Sequence, residues 1–206
     1  MEALSKLFGS ENKVKIMRLF LFNPDRVFDI SDISVRVKSD KSKVRREVPV
    51  LEKIGLIKSR IIHRGIPRVV HKGRRKKKKS RQGFILNPNF IYLSSLQNFL
   101  INIEPLNPKE IVRKITRLGS IKLIIIAGVF IQEPESRADI LIVGDGVKRT
   151  NLEKTIKTLE SEIGKELKYA YFTTEEFKYR LSMFDKLTRD ILDYPHRKVL
   201  NRLSIE

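Results

Sequence analysis

Residues 41–62, KSKVRREVPVLEKIGLIKSRII, decide how the first half of this chain folds. Val44, Val48, Leu51 and Ile54 recur at the three- and four-residue spacing of a helix with one buried stripe. Gly55 follows where the chain must leave that helix through a left-handed conformation. Ser42, Arg46, Pro49 and Lys53 project opposite the stripe, with Lys43 and Arg45 on its flanks. Pro49 deletes one helical hydrogen bond, so a bend is expected over residues 45–49. Residues 56–62 then mix apolar and basic side chains as an exposed strand does, and residues 83–86, GFIL, can pair with them.

Upstream, Ser10 can cap a helix whose Val14, Met17, Phe20 and Leu21 share one face, ending at Asn23-Pro24. A shorter helix is predicted from about Ser31, with Ile30 as an apolar staple before the cap and Ile33 and Val37 one turn apart. Lys38-Ser39-Asp40 is the turn, which makes helix, turn, helix. Between the two strands lies residues 72–81, KGRRKKKKSR, within a stretch from 58 to 81 that holds twelve Lys and Arg and no acid. Such a run is either a solvated stretch that aids solubility or is neutralised by phosphate.

Charge is unevenly placed. The chain carries +19 over 206 residues, and the first hundred hold 24 bases against 8 acids, so +16 resides there. A polyanion is the partner this half suits, and the charge step favours two domains, 1–100 and 101–206. The absence of cysteine excludes disulfides, thiolate metal sites and cysteine nucleophiles. His63, His71 and His196 lie too far apart for a metal-ligand motif, so no metal or cofactor is expected. Neither MEALSKLFGS nor the apolar stretch 121–131, interrupted by Lys122, reads as a signal or a membrane span, which predicts a cytoplasmic protein.

The stretches LFGSENKVKIMRLFLFNP and VRREVPVLEKIGLIKSR resemble prokaryotic transcription regulators of winged helix-turn-helix type. That resemblance implies double-stranded DNA as partner. Ser42, Arg45 and Arg46 would then read base edges, and Lys41 and Lys43 would hold phosphates. Lys72, Arg74, Arg75, Lys76, Lys77, Lys78, Lys79 and Arg81 would track the backbone as a wing. Poly-lysine carries no sequence information, so discrimination falls to the helix. A homodimer suits this reading, because one short helix in one groove rarely discriminates sites. RNA or ribosome binding rests on the same charge and is the alternative.

In the second half, Asn98 to Asn107 reads as a connection, and Asn107 caps a helix with Pro108 at its first position. Residues 121–130, IKLIIIAGVF, and 139–143, DILIV, suit strands buried on both faces, and residues 168–172 form a third. Thr150 with Glu153 and Thr173 with Glu176 are capping boxes for two further helices. The first would bury Leu152, Ile156, Leu159 and Ile163, and the second Phe177, Leu181 and Phe184. The expected class is therefore α+β, a winged helix-turn-helix followed by a small α/β domain.

The segment AGVFIQEPESRADILIVGDG resembles the opening of minimal nucleotidyltransferase-fold domains, with the likeness running from about Ile121 to the end. The family pattern puts a Gly-Ser turn at Gly128 and Val129 and its two metal-binding aspartates at Arg137 and Asp139. Two of those four positions depart from it. A lone carboxylate beside a cation cannot hold two divalent ions, and valine offers phosphate no hydroxyl. The resemblance thus implies a domain without catalytic residues, no enzyme, serving dimerisation or ligand sensing; an active nucleotidyltransferase, which would need Asp139 plus unconventional ligands, is the third reading after the regulator and the RNA binder. Asp139 is expected to cap a turn or pair with Arg137.

Overall fold

Two units, residues 1–97 and 98–206, divide this α+β chain, and the computed structural model describes residues 2–63, 80–102, 107–133 and 135–205. The first unit opens with a helix that the apolar periodicity did not signal, α1 (Glu2–Phe8). Gly9 turns the chain at φ +75°, and the Ser10 hydroxyl accepts from the Lys13 N–H at 3.3 Å to start α2 (Glu11–Phe22). Val14, Met17, Phe20 and Leu21 of α2 are all buried.

Helix α3 (Ile30–Arg36) begins one residue earlier than its sequence suggests, because Asp29 and not Ser31 is the cap. The Asp29 carboxylate accepts from the Ser31 and Asp32 N–H groups, both at 2.8 Å, while Asp32 accepts from the Asp29 N–H at 3.2 Å. That reciprocal box satisfies donors a serine at position 31 could not reach. Lys38, left-handed at φ +50°, makes the turn into α4 (Lys41–Lys53), which runs unbroken through Pro49. Val44, Val48 and Leu51 are fully buried, but Ile54 is 55% exposed: it is the C-cap, already turning off the buried stripe. Gly55 follows at φ +83°.

Strands β1 (Ile57–His63) and β2 (Ser80–Leu86) pair antiparallel, Arg60 opposite Gly83. Phe28 extends the ladder by exchanging two backbone bonds with Phe84, and its ring meets Phe20 edge-on at 5.6 Å. Gly83 is required by close approach, since a Cβ there would lie 2.5 Å from the Ile62 Cδ1 and 2.7 Å from the Val27 Cγ1. We expect Gly83→Ala to cost about 1–3 kcal/mol by overpacking, read as a lowered urea midpoint. An unchanged midpoint would mean that Val27 and Ile62 swing clear. The unit closes with α5 (Leu93–Gln97).

The second unit contains a π-helical turn (Asn98–Asn102), helical where a plain connection was expected, and then α6 (Pro108–Ile115) capped by Asn107. A four-stranded sheet follows, of order β5-β4-β3-β6. β3 (Ser120–Ile126) lies antiparallel to β4 (Ile140–Asp145), and β5 (Tyr169–Phe172) lies parallel to β4. β6 (Arg197–Asn201), which its composition hides, pairs antiparallel with β3. Leu123, Ile125, Leu141 and Val143 bury one face of the sheet together with Phe172, Phe177 and Ile191. Alternation sends Ile124, Ile126, Ile140 and Ile142 to the other face, also fully buried.

Helix α7 (Arg149–Ile163) buries Leu152, Ile156, Leu159 and Ile163 as its period demands and ends at left-handed Gly164. The expected Thr150 box does not form. Lys148 is the N-cap without a side-chain bond, and Glu153 pairs instead with Arg149 at 3.0 Å. Helix α8 (Thr174–Ser182) is capped by Thr173, whose hydroxyl accepts from the Glu176 N–H at 3.1 Å. It buries Phe177, but Phe184 lies beyond its end, left-handed at φ +53° and 72% exposed. Helix α9 (Lys186–Asp193), also unread from the pattern, starts on the Asp185 carboxylate, which accepts from the Thr188 N–H at 3.0 Å.

Candidate nucleic-acid interface

Helix α4 is presented by its two ends. At the first, the Ser34 hydroxyl donates to the Ser39 carbonyl at 2.7 Å, tightening the turn after α3. At the second, the Asn87 side chain donates to the Gly55 carbonyl at 2.8 Å while its backbone N–H donates to Leu56 at 2.9 Å. Asn87 therefore clamps the exit of α4 to the end of β2. Only its place in Asn87-Pro88, a turn signal, hinted at this role.

Lys41, Ser42, Lys43, Arg45 and Arg46 are all exposed on α4. The first turn contains no acid, and Asp40 makes no side-chain cap bond. Cations at a helix start oppose the macrodipole, an arrangement that an incoming anion relieves. Glu47, the acid nearest in sequence, is turned to Lys13, 3.6 Å away, and leaves the arginines free of it. Pro49 lies exposed on the same side as Arg46, where its missing N–H costs no buried contact.

The hairpin adds Lys58 and Arg60, exposed on β1 and counted by the sequence only as part of a basic stretch. Arg60 and Arg81 both line a depression of about 340 Å³ between the strands, with Ser59, Ile61, Ser80 and Gln82. Arg81 keeps 59% of its side chain exposed, yet its guanidinium lies 3.5 Å from the buried Asp29 carboxylate. It ties the loop end of the hairpin to the start of α3, so its charge is partly spent within the fold. Lys72, Arg74, Arg75, Lys76, Lys77, Lys78 and Lys79 lie outside the described residues.

Residues 127–145 of the second unit have a different character. β3 stops at Ile126, short of the expected Phe130, because Gly128 turns at φ +52° into a short 3-10 turn (Gly128–Phe130). Asp139, only 6% exposed, spends both carboxylate oxygens on backbone. One accepts from the Val129 N–H at 2.8 Å and the other from the Lys168 N–H at 2.7 Å. Gly128 has no alternative, since a Cβ there would fall 2.2 Å from Asp139 Oδ1. The Ser136 hydroxyl accepts from the Gly128 N–H at 3.1 Å.

Arg137 does not pair with Asp139, as its spacing suggested, but with Asp190 of α9 at 3.3 Å. Asp145, at the end of β4, is engaged too, accepting from the Thr174 hydroxyl at 2.6 Å and the Thr174 N–H at 3.0 Å. Those bonds hold its carboxyl below the usual range, because they favour the charged form. Tyr171 shifts upward, mainly through burial and then through the Asp145 charge. Among the described residues no group of three His, Cys, Asp or Glu could hold a metal ion, and no helix is long and apolar enough to cross a membrane. Comparisons of the chain with family models, with curated proteins and with solved structures gave no match.

Proposed function

We propose that this chain is a DNA-binding transcriptional regulator of winged helix-turn-helix type. The observation that carries the reading is the outward face of α4, where Lys41, Ser42, Lys43, Arg45 and Arg46 stand exposed with no carboxylate among them. A guanidinium on an exposed helix matches the O6 and N7 acceptors of guanine in the major groove, and lysines match phosphates. The hairpin beside it leads into the basic stretch between residues 58 and 81, which supplies sequence-independent attraction. Arg45, Arg46 and Ser42 read bases in this scheme, and the lysines with the wing cations hold the backbone.

The second unit serves this regulator through association or ligand sensing and not through catalysis. The support is chemical: the one carboxylate left of the nucleotidyltransferase-like pair, Asp139, has both oxygens committed to amide donors. Among the described residues no group of three His, Cys, Asp or Glu completes a metal site around it.

Fluorescence anisotropy across a salt series tests the reading, using the protein's own promoter fragment, a scrambled duplex of equal length and a structured RNA. A promoter preference that survives physiological salt is expected. Equal duplex affinities that collapse with salt, or tighter binding to RNA, would overturn it in favour of nonspecific or RNA-associated binding. Within the same assay, Arg46→Ala should cost about 1–3 kcal/mol on the cognate site and little on random DNA. Equal losses on both would remove Arg46 from the reading set.

A further inference from the structure

The turn from α8 to α9 exposes four large apolar side chains within nine residues, Tyr179, Met183, Phe184 and Leu187. Tyr179 and Met183 are each 63% exposed and line one shallow depression with Arg180, Glu176 and Asp185. Phe184 is 72% exposed and Leu187 36%. An aromatic and methionine cluster rimmed by arginine has the composition of an interface core.

Charge identifies the occupant. Residues 173–195 carry five acids and four bases, a net of −1 within a chain of +19. The arginines of this surface are already neutralised nearby. Arg180 lies 3.0 Å from Glu176 and 3.2 Å from Asp185, and Arg189 lies 3.3 Å from Asp193. With Lys178 and Lys186 offset by the remaining acids the face is close to neutral, so a polyanion or an anionic bilayer gains little from it. Two copies of this chain repel one another over most of their surfaces, and here they can meet without like charges opposed. A face with both signs is also self-complementary, as a two-fold contact requires.

We propose that the α8–α9 turn, through Tyr179, Met183, Phe184 and Leu187, is the contact by which two copies of this chain form a homodimer. The proposal rests on the regulator reading only in supplying the second recognition helix; the contact itself stands on exposure and charge.

Sedimentation equilibrium of the full chain tests it. The wild type is expected to be a dimer, and Tyr179→Lys with Met183→Lys to weaken association at least about a hundredfold, the scale of losing two anchor side chains, with an unchanged melting temperature. A second measurement needs no disruption. The chain has no cysteine, so any disulfide that joins two cysteines of Met183→Cys is intermolecular, whereas Asn151→Cys on α7 gives a control. Oxidative dimer at Met183→Cys and none at Asn151→Cys supports the contact. A monomeric wild type, a dimer indifferent to both lysines, or equal crosslinking at the two cysteines overturns it. Promoter binding read on the same samples separates the two ideas. A monomer that keeps its sequence preference overturns only the interface, and a dimer without preference overturns only the regulator.

Discussion

Asp139→Ala should destabilise the second unit by about 1–4 kcal/mol, because it strips the acceptor from one buried N–H group, at about 1–3 kcal/mol, and from a second that is only part-buried. Those donors belong to Val129 and Lys168, residues on separate strand connections that the Asp139 carboxylate bridges. The Asp139 backbone contributes to the same knot, its carbonyl accepting from Ala127 at 2.8 Å and its N–H donating to Lys168 at 2.6 Å, and these bonds persist in the variant. The effect is therefore a loosened junction and not a lost strand. Tyrosine fluorescence in a urea titration can follow it selectively, since the chain has no tryptophan and four of its five tyrosines lie beyond residue 97. A loss below about 0.5 kcal/mol, the scale of an ordinary surface change, would show that both amides find other acceptors. Magnesium-dependent transfer of nucleotide label that disappears in Asp139→Asn would overturn the non-catalytic reading of the unit.

Neutralising Lys76, Lys77, Lys78 and Lys79 together should have the largest effect on binding. Each phosphate contact releases condensed counterion worth a slope of about 0.9 in log K against log salt, so four contacts account for about 3.6. At physiological ionic strength the loss is roughly two to three decades in affinity, equal for promoter and scrambled duplex. The wild-type and variant curves should converge as salt rises. A variant that loses promoter preference while keeping its slope would transfer sequence reading to the wing, against the assignment to α4.

Both predictions depend on features of different legibility. The α4 stripe of Val44, Val48 and Leu51 is local chemistry: three apolar side chains at helical spacing bury together whichever surface they meet. Ser10, Asn107 and Thr173 likewise announce helix starts, because a side-chain oxygen reaches an N–H two or three residues away with no help from elsewhere. Thr150 carries the same signature and fails, and Ser31 loses its place to Asp29, so a motif alone does not choose among neighbouring caps.

What escaped the pattern was long-range. β6 is a short edge strand, half polar, whose identity comes from the β3 backbone it bonds. The end of β3 at Ile126 depends on Asp139, thirteen residues further on, which binds the Val129 amide. Arg137 found Asp190 on a helix the periodicity did not show, and Arg81 found Asp29 across the first unit.

Charge, apolar period and capping residues are properties of a few adjacent side chains, so the amino-acid order was sufficient for the α+β class, the basic first half and the exposed cations of α4. The partners of Asp139, Arg137, Arg81 and Asn87 had to await the folded chain. Each pairs across a loop whose closure is governed by the burial of other residues, and no local spacing encodes that distance.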